Sequence, residues 1–296
     1  MNIENAKILV VGDIMLDHYI VGEVKRISPE APVPILNVTK EYSTLGGCGN
    51  VVRNIVGMGA EAICLSIIGP DETGMRIMQH LEIDGITDSF INMSRNMITT
   101  KKTRIVSGSQ ETQMLRVDEE NFITHDLSNN INKLPSNIDV IVVSDYNKGV
   151  VTKELIEALK TLQKPIIVDP KPRSGSENIY DGVFLITPNQ KEFDEMKMPS
   201  NVEYVLKTMG KDGMELNGYD SKIHIPTTPS TVYNVSGAGD TVVAALSVCM
   251  ACDIDLLSAT KIANECAGYV VTKKGTSTVP SEVFIKIVES YKKGDL

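Results

Sequence analysis

The sequence contains no tryptophan, no long unbroken apolar run and no basic-then-apolar leader at its start. A membrane span needs about 20 consecutive apolar residues, and a signal peptide needs an apolar core behind a basic start, so we expect neither. Positive charge is also scarce, because the net charge is −9 and the lysines and arginines are dispersed. We therefore expect a cytoplasmic protein that binds neither nucleic acid nor membrane surfaces and meets any anionic substrate with a local cluster of donors.

Cysteine chemistry and two common nucleotide motifs are also missing. The five cysteines are odd in number and lie mostly in apolar segments, which favours reduced thiols. Cys249 and Cys252 form a C-x-x-C without a second Cys/His pair nearby, so we interpret them as core residues. No G-x-x-x-x-G-K-[ST] occurs, which excludes a P-loop. The glycines at 237–239 come too late in the chain, and lack the third glycine, for a dinucleotide-binding turn.

Short apolar runs alternate with helical patterns along the 296 residues, 42% of which are hydrophobic. We predict strands at 7–12, 62–68, 139–144, 165–168, 182–186 and 203–209. This alternation is typical of an α/β fold with a mostly parallel central sheet. No internal repeat or linker is evident, so residues 1–296 are predicted to form a single domain.

Polar residues recur where these strands end, at Asp13, Asp145, Asp169 and Asn189, with Asp17 shortly after the first. Ligands of open α/β sheets bind at the carboxyl ends of the strands, so the recurrence outlines a cleft along that edge. Taken singly, each aspartate is as readily a turn or cap residue as a ligand.

A glycine-rich turn at residues 237–240, Gly-Ala-Gly-Asp, precedes an apolar run that predicts a buried helix. The unpaired N–H groups of a helix N-terminus can hold a phosphoryl group. Two interpretations of Asp240 stay open at this point. It is either a first-turn acid that complements the helix dipole or a base that takes a proton from an attacking hydroxyl.

The segment from about 15 to 45 departs from the α/β pattern. Three prolines within residues 26–35 exclude a helix or central strand there and indicate an edge or flap. Two further predicted strands, 99–106 and 113–117, carry basic residues that form either a solvated face or an anion clamp, namely Lys101, Lys102, Arg104 and Arg116. The glycine-rich approach to the next helix includes Asn50, which can cap that helix or bind a ligand.

Several motifs in this order resemble the ribokinase-like (PfkB) family of sugar kinases nearly from end to end. They are Gly46-Gly47 with Asn50, Asp169-Pro170-Lys171, Thr187-Pro188-Asn189 with Glu192, Thr208 with Gly210 and Gly213, and Gly237-Ala238-Gly239-Asp240. Within that family, residues 12–17, 26–34, 46–50, 115–118 and 144–149 are similar to the heptose-7-phosphate kinases, which act in surface-polysaccharide biosynthesis.

The resemblance implies a three-layer α/β/α domain with a mostly parallel central sheet and a small β lid, formed by roughly 15–45 and 99–118. It implies ATP and Mg²⁺ as cofactors, a sugar phosphate as substrate, a homodimer through the lid, and phosphorylation at the anomeric hydroxyl. Asp240 would be the base, and the N–H groups of Gly237, Ala238 and Gly239 would hold the transferring phosphoryl group. The sugar phosphate would meet Asp13, Asp17, Gly46, Gly47, Asn50, Arg104, Arg116 and Lys171. The nucleotide would meet Asn189, Thr208, Gly210, Gly213 and Asn264, and Glu192 with Asn189 would organise the metal.

Two departures from the family pattern give further expectations. Asn234 stands where the family carries an acid linked to a monovalent-cation site, which speaks against potassium activation. Residues 189–201 barely provide the dozen that a parallel crossover needs, so we expect a missing helix there. A kinase for another sugar or sugar phosphate, or a binding protein that has lost turnover, stays open as an alternative.

Overall fold

A computed structural model describes residues 2–86, 89–108, 112–173, 178–218, 221–228 and 231–293. Its strands are β1 Lys7–Gly12, β2 Ile14–Ile27, β3 Pro34–Gly47, β4 Glu61–Ile68, β5 Ser89–Met93, β6 Lys101–Ser107, β7 Thr112–Glu119, β8 Val140–Ser144, β9 Ile166–Asp169, β10 Leu185–Ile186, β11 Tyr204–Thr208, β12 Met214–Asn217 and β13 Lys222–Ile225. Its α-helices are α1 Cys48–Gly57, α2 Glu72–Ile83, α3 Lys153–Lys160, α4 Gln190–Glu195, α5 Ala238–Ala251, α6 Leu256–Val271 and α7 Ser281–Lys293.

The described strands form a large sheet and a small one. The large sheet has the order β13-β12-β11-β10-β9-β8-β1-β4-β5. The strands from β11 to β5 are parallel, whereas β12 pairs antiparallel with both β11 and β13. The small sheet has the order β3-β2-β6-β7 and is called the second sheet below. The predicted α/β class with a mostly parallel central sheet is confirmed.

Alternating residues of β1 show why the large sheet is covered on both faces. Ile8 and Val10 belong to one apolar core, which helices α1, α2, α5, α6 and α7 complete. Leu9 and Val11 belong to a second core on the opposite face, which includes residues of α3. Because side chains alternate across a strand, a continuous apolar run such as β1 supplies both cores at once. The arrangement is the predicted three-layer α/β/α domain.

The second sheet is built from the predicted segments 15–45 and 99–118, apart from residues 109–111, which lie outside the described part. β2 and β3 form a long antiparallel hairpin, and the prolines lie at its tip or at the first residue of β3. β6 pairs with β2 in parallel, so the two segments make one sheet. Its action as a lid stays a prediction.

The crossover between β10 and β11 is short, as expected, but it keeps a helix, so the expectation of a missing helix was wrong. It contains α4, a helix of only six residues, whose N-cap Asn189 forms a reciprocal capping box with Glu192. β10 itself spans only Leu185–Ile186, so the predicted strand over 182–186 was too long. The parallel pairing of β10 with β11 is nevertheless made.

The described cysteines are free thiols, and Cys249 is buried in α5, which agrees with its interpretation as a core residue. Within the described ranges, no helix is long and apolar enough to cross a membrane.

Candidate active site

Three cavities follow one another along the carboxyl edge of the large sheet, and they share lining residues where they meet. An acidic cavity of about 210 Å³ is lined by Asp145, Asp169, Lys171, Glu192 and Asp240, among others. An inner cavity of about 180 Å³, against the second sheet, shares Tyr146, Gly237 and Asp240 with it. An apolar cavity of about 750 Å³ on the other side shares Asn189, Thr208 and Gly239 with it. The predicted cleft therefore exists, and Asp240 lies between its inner part and its middle.

Helix α5 begins at the glycine-rich turn, as predicted. Its N-cap, Gly237, has a left-handed backbone with φ of 81°, which favours glycine. A Cβ at Gly237 would also lie 2.7 Å from Asn50 Nδ2 and 2.8 Å from Thr276 Cγ2, so a larger residue would disturb the site. Asp240 is the third residue of the helix and is buried.

The carboxylate of Asp240 is held by two donors from distant segments. Asn50 Nδ2 donates to one oxygen at 2.7 Å, and the Tyr146 hydroxyl donates to the other at 3.0 Å. Burial raises the pKa of Asp240 to about 6, although both hydrogen bonds oppose that rise. The group is therefore mostly ionised at neutral pH and more basic than an exposed aspartate. Asn50 lies within the first turn of α1, whose N-cap is Gly47, so the prediction that Asn50 caps the helix was wrong.

Asp13 holds the loop that carries Tyr146. Its carboxylate accepts backbone N–H groups from Tyr146, Lys148 and Val150 at 2.8 to 3.2 Å. Burial, followed by the charge of Asp145, raises the pKa of Asp13 to about 6. Asp13 was predicted to hold the sugar, but it is not among the residues that line the cavities described here. In this structure it organises the loop beside the site.

The second sheet turns two cross-strand rows of side chains toward the cleft. One row is Thr44, Asp17, Lys102 and Asp118, and the next is Tyr42, Tyr19, Arg104 and Arg116. Asp17, Lys102 and Arg104 line the inner cavity, and an Arg104 nitrogen lies 2.5 Å from an Asp17 oxygen. Arg116 is half exposed, binds Asp118 through two nitrogens at 2.9 and 3.0 Å, and lines none of these cavities. Arg104 also lines an outer cavity of about 650 Å³ beyond the inner one.

Gly46 and Gly47 allow β3 to approach β2 closely at the root of the hairpin. A Cβ at Gly46 would lie 2.7 Å from Asp17 Oδ2, and Gly47 has a φ of 59°, where a Cβ would clash with the Asp13 carbonyl oxygen. These two predicted substrate residues therefore shape the inner cavity by having no side chain. Gly47 lines that cavity directly.

The five residues predicted to bind a nucleotide all line the apolar cavity. Asn189, Thr208, Gly210, Gly213 and Asn264 come from five places in the chain, and Asn264 Nδ2 donates to the Pro226 carbonyl at 2.8 Å. The remaining lining is mostly apolar and includes Val242, Ala267 and Val271. Cavities of this size and character suit a small-molecule ligand. The short crossover thus leaves these residues together.

Lys171 and Glu192 meet at the acidic cavity, where Lys171 Nζ lies 2.9 Å from Glu192 Oε1. The other Glu192 oxygen accepts the Asn189 N–H at 3.1 Å within the capping box. Burial, then the charges of Asp240 and Glu192, raise the pKa of Asp169 well above its ordinary value, so the cavity is crowded with negative charge. Among the described residues, no group of three or more acidic, histidine or cysteine side chains could hold a metal alone.

A model of the pfkB family carbohydrate kinases matches residues 5–282. The Bifunctional protein HldE of Rhodospirillum rubrum is 40% identical over 95% of this chain, and that of Helicobacter hepaticus is 34% identical over 97%. The chain spans 62% and 64% of those relatives' lengths, which is less than two thirds.

Solved structures agree on the fold. Escherichia coli phosphofructokinase-2 in complex with fructose-6-phosphate superposes with a TM-score of 0.74 at 18% identity, over 97% of this chain and 99% of that one. Arabidopsis thaliana ribokinase complexed with ribose and ATP gives a TM-score of 0.74 at 17% identity, over 96% and 98%.

Proposed function

Since the chain belongs to the pfkB family of carbohydrate kinases, we propose that it transfers the γ-phosphoryl group of ATP to the anomeric C1 hydroxyl of D-glycero-D-manno-heptose 7-phosphate. The observation that carries this proposal is the row of cavities that meets at Asp240 and the start of α5. A hydroxyl in the inner cavity and a phosphoryl group at the helix N-terminus would face each other across that carboxylate. The product is the 1,7-bisphosphate, a precursor for ADP-heptose and surface polysaccharide, and we place the reaction in the cytoplasm.

Asp240 takes the proton of the attacking hydroxyl in this mechanism. Its pKa of about 6 supports the role, because a general base works best when its pKa lies near the operating pH. In this mechanism the N–H groups of Gly237, Ala238 and Gly239 stabilise the charge on the transferring group, and the Ala238 N–H, which donates to the Val235 carbonyl at 3.3 Å in this structure, would have to exchange that partner. Positioning and charge stabilisation supply most of the catalysis in phosphoryl transfer, and these groups would contribute to both.

A Mg²⁺ ion fits the acidic cavity as a partner of bound ATP. Asn189 and Glu192 offer oxygen ligands, and burial followed by the charges of Asp240 and Glu192 raises the pKa of Asp169, an effect that a nearby cation would oppose. Mg²⁺ is commonly bound through one or two carboxylates together with substrate phosphates, which agrees with the lack of a complete protein cage in the described residues. When bound, the ion neutralises charge on the phosphates. Lys171 would contribute positive charge beside it.

A sugar phosphate is favoured over a free sugar by the second row of the second sheet. Arg104 and Arg116 are direct cross-strand partners that place two guanidinium groups side by side, each also in contact with a carboxylate, Asp17 or Asp118. Arg104 lines both the inner and the outer cavity, so a phosphate on the far end of a seven-carbon sugar would reach it. Guanidinium groups bind phosphate through paired hydrogen bonds.

We also propose that the chain forms a homodimer through the second sheet, which would act as a lid. Leu115 and Val117 are exposed on the face turned away from the two rows, at 55% and 42% of their surface. A lid over the inner cavity would exclude water that could otherwise accept the phosphoryl group.

A kinase for a different sugar phosphate is the second candidate. It is supported by the position of Arg116, which pairs with Asp118 and lines none of the cavities described above.

A coupled ADP-release assay tests the proposal. It uses MgATP with heptose 7-phosphate, ribose, fructose, fructose 6-phosphate or buffer, and Asp240→Asn is run as a background control. Turnover that is confined to the heptose phosphate supports the assignment. Faster turnover of fructose 6-phosphate would favour the second candidate, and silence with every sugar while calorimetry still detects binding would overturn the kinase assignment.

A further inference from the structure

Lys102 occupies an unusual position among the basic residues of β6. Its neighbours are engaged by carboxylates, since Lys101 Nζ lies 2.7 Å from Glu119 and Arg104 binds Asp17. Within the described ranges, no carboxylate oxygen lies within 4.0 Å of the Lys102 ammonium, which instead lies 5.1 Å from the ring centroid of Tyr146. Lys102 is partly buried, and the charges of its cross-strand neighbours Asp17 and Asp118 act on it without forming an ion pair within 4.0 Å, so its ammonium keeps donors for a ligand.

The surroundings of Lys102 point into the inner cavity. Lys102 lines that cavity together with Asp17, Tyr146 and Asp240. It is the register partner of Asp17, so an ammonium donor and a carboxylate acceptor stand side by side on adjacent strands. Tyr146, whose ring lies under the ammonium, donates its hydroxyl hydrogen bond to Asp240. Two contacts, from Lys102 to the Tyr146 ring and from the Tyr146 hydroxyl to Asp240, thus connect the second sheet to the carboxylate at the start of α5.

We propose that Lys102 contacts the sugar and that Tyr146 is the positioning residue for Asp240. This inference rests on the proposed function. This arrangement matches two adjacent sugar hydroxyls. The first can accept a hydrogen bond from Lys102 while it donates one to Asp17. The neighbouring hydroxyl would then lie at Asp240 for proton transfer. Lys102 therefore selects sugars that present adjacent hydroxyls beside the reacting one.

Several charged or polar groups face Asp240 and set its ionisation. Asp17 and Lys102 face it from the second sheet, Tyr146 from the loop after β8, Asp169 from the end of β9, and Asn50 from α1. Asp17 favours the protonated form of Asp240, whereas Lys102 and the two hydrogen-bond donors favour the ionised form. Removal of either Lys102 or the Tyr146 hydroxyl should therefore move the acid limb of the pH profile to higher pH.

Steady-state kinetics between pH 5.5 and 9 test these roles with Lys102→Met, Lys102→Arg, Tyr146→Phe and the control Lys101→Met. Lys101 lies on the opposite face of β6 and pairs with Glu119, so its variant should retain the wild-type KM and pH profile. We expect Lys102→Met to raise KM for the sugar phosphate about tenfold or more and to move the acid limb upward, with partial rescue in Lys102→Arg. Tyr146→Phe should lower kcat about tenfold to a hundredfold and move the limb in the same direction, with little effect on KM. An unshifted acid limb in both variants, or a Lys102→Met that behaves as Lys101→Met, would overturn the inference.

A chemical probe tests Lys102 independently of turnover. Pyridoxal 5′-phosphate followed by borohydride marks accessible lysines with a lowered pKa, and burial lowers the pKa of Lys102. Peptide mapping should find Lys102 marked more than Lys101, and sugar phosphate should suppress the mark while ADP should not. Protection by a sugar phosphate other than heptose 7-phosphate would keep this inference and move the proposed substrate. An unmarked Lys102, or a mark that no sugar phosphate suppresses, would refute a sugar contact at Lys102.

Discussion

Replacement of Asp240 by asparagine should abolish activity and at the same time stabilise the fold at alkaline pH. The activity should fall by about 10²- to 10⁴-fold, because a positioned general base contributes that much to a rate. ATP binding should persist, since Asp240 does not line the apolar cavity. The stability effect follows from burial, which raises the pKa of Asp240 to about 6 from an ordinary value of 3.8.

The raised pKa determines how the stability of the fold changes with pH. A carboxyl whose pKa is higher in the folded state stabilises the fold while it is protonated, below about pH 4, and loses that contribution as the pH rises through 6. At pH 8 the ionised group therefore costs about 3 kcal/mol relative to a neutral one, and at pH 4.5 only about 1 kcal/mol. The asparagine fits the same contacts. Its oxygen can accept a hydrogen bond from Asn50, and its NH₂ group can donate to the Tyr146 hydroxyl, which then changes from donor to acceptor. Urea unfolding should show that Asp240→Asn raises the free energy of unfolding above that of the wild type at pH 8. At pH 4.5 this difference should be smaller by about 2 kcal/mol.

Asp13→Asn is the matched control for this reasoning. Asp13 is equally buried and also has a pKa of about 6, but its three partners are backbone N–H groups, which cannot reverse. The asparagine NH₂ would face a donor, which costs about 1–3 kcal/mol and offsets most of the gain of about 3 kcal/mol from removing the buried charge at pH 8, so Asp13→Asn should be stabilised clearly less than Asp240→Asn. The argument fails if Asp240→Asn is no more stable than the wild type at pH 8, or if Asp13→Asn gains as much stability as Asp240→Asn.

Three further predictions concern the binding groups. Arg104→Ala should raise KM for the sugar phosphate at least about tenfold and leave KM for ATP nearly unchanged. Arg116→Ala should raise KM for the sugar phosphate less, because Arg116 is more exposed. An equal rise in KM for the sugar phosphate and for ATP would contradict a phosphate contact. Glu192→Gln keeps the capping box but removes a charge, so half-maximal activity should need about tenfold more Mg²⁺ without a change in thermal stability; an unchanged Mg²⁺ titration would exclude Glu192 as a ligand. Asn264→Ala should raise KM for ATP about fivefold, because it removes the hydrogen bond to the Pro226 carbonyl at the nucleotide cavity, and an altered KM for the sugar alone would contradict that placement.

The cleft was predictable because parallel strands share one carboxyl edge. Asp145, Asp169 and Asn189 each follow a short apolar run in the sequence, and the order of those runs already implies that their ends meet. The turn before α5 was equally accessible, since glycines followed by an apolar helix are a local pattern. Such patterns predict the structure correctly because they depend only on residues that are neighbours in the sequence.

Partners from distant segments were not predictable. Asn50 and Tyr146 both bind the carboxylate of Asp240, yet neither contact leaves a trace in local periodicity. The alternation of Lys102 and Arg104 indicated a shared face, but which face meets the cleft depends on the pairing of β6 with β2. Asp13 could be placed at a strand end, while its three backbone partners come from a loop more than 130 residues later.

The hairpin of β2 and β3 leaves the large sheet after Gly12 and returns at Cys48, where the Cys48 N–H donates to the Asp13 carbonyl at 3.0 Å. A segment whose two ends are closed against each other can be exchanged as a cassette without rerouting β1 or α1. The nucleotide residues all lie later in the chain, from 189 onward. Under the proposed function, exchange of the hairpin would replace Asp17, Gly46 and Gly47 while Lys102 and Arg104 on β6 and the residues proposed to bind the nucleotide stay in place. Part of the sugar site can then evolve at a different rate from the nucleotide site.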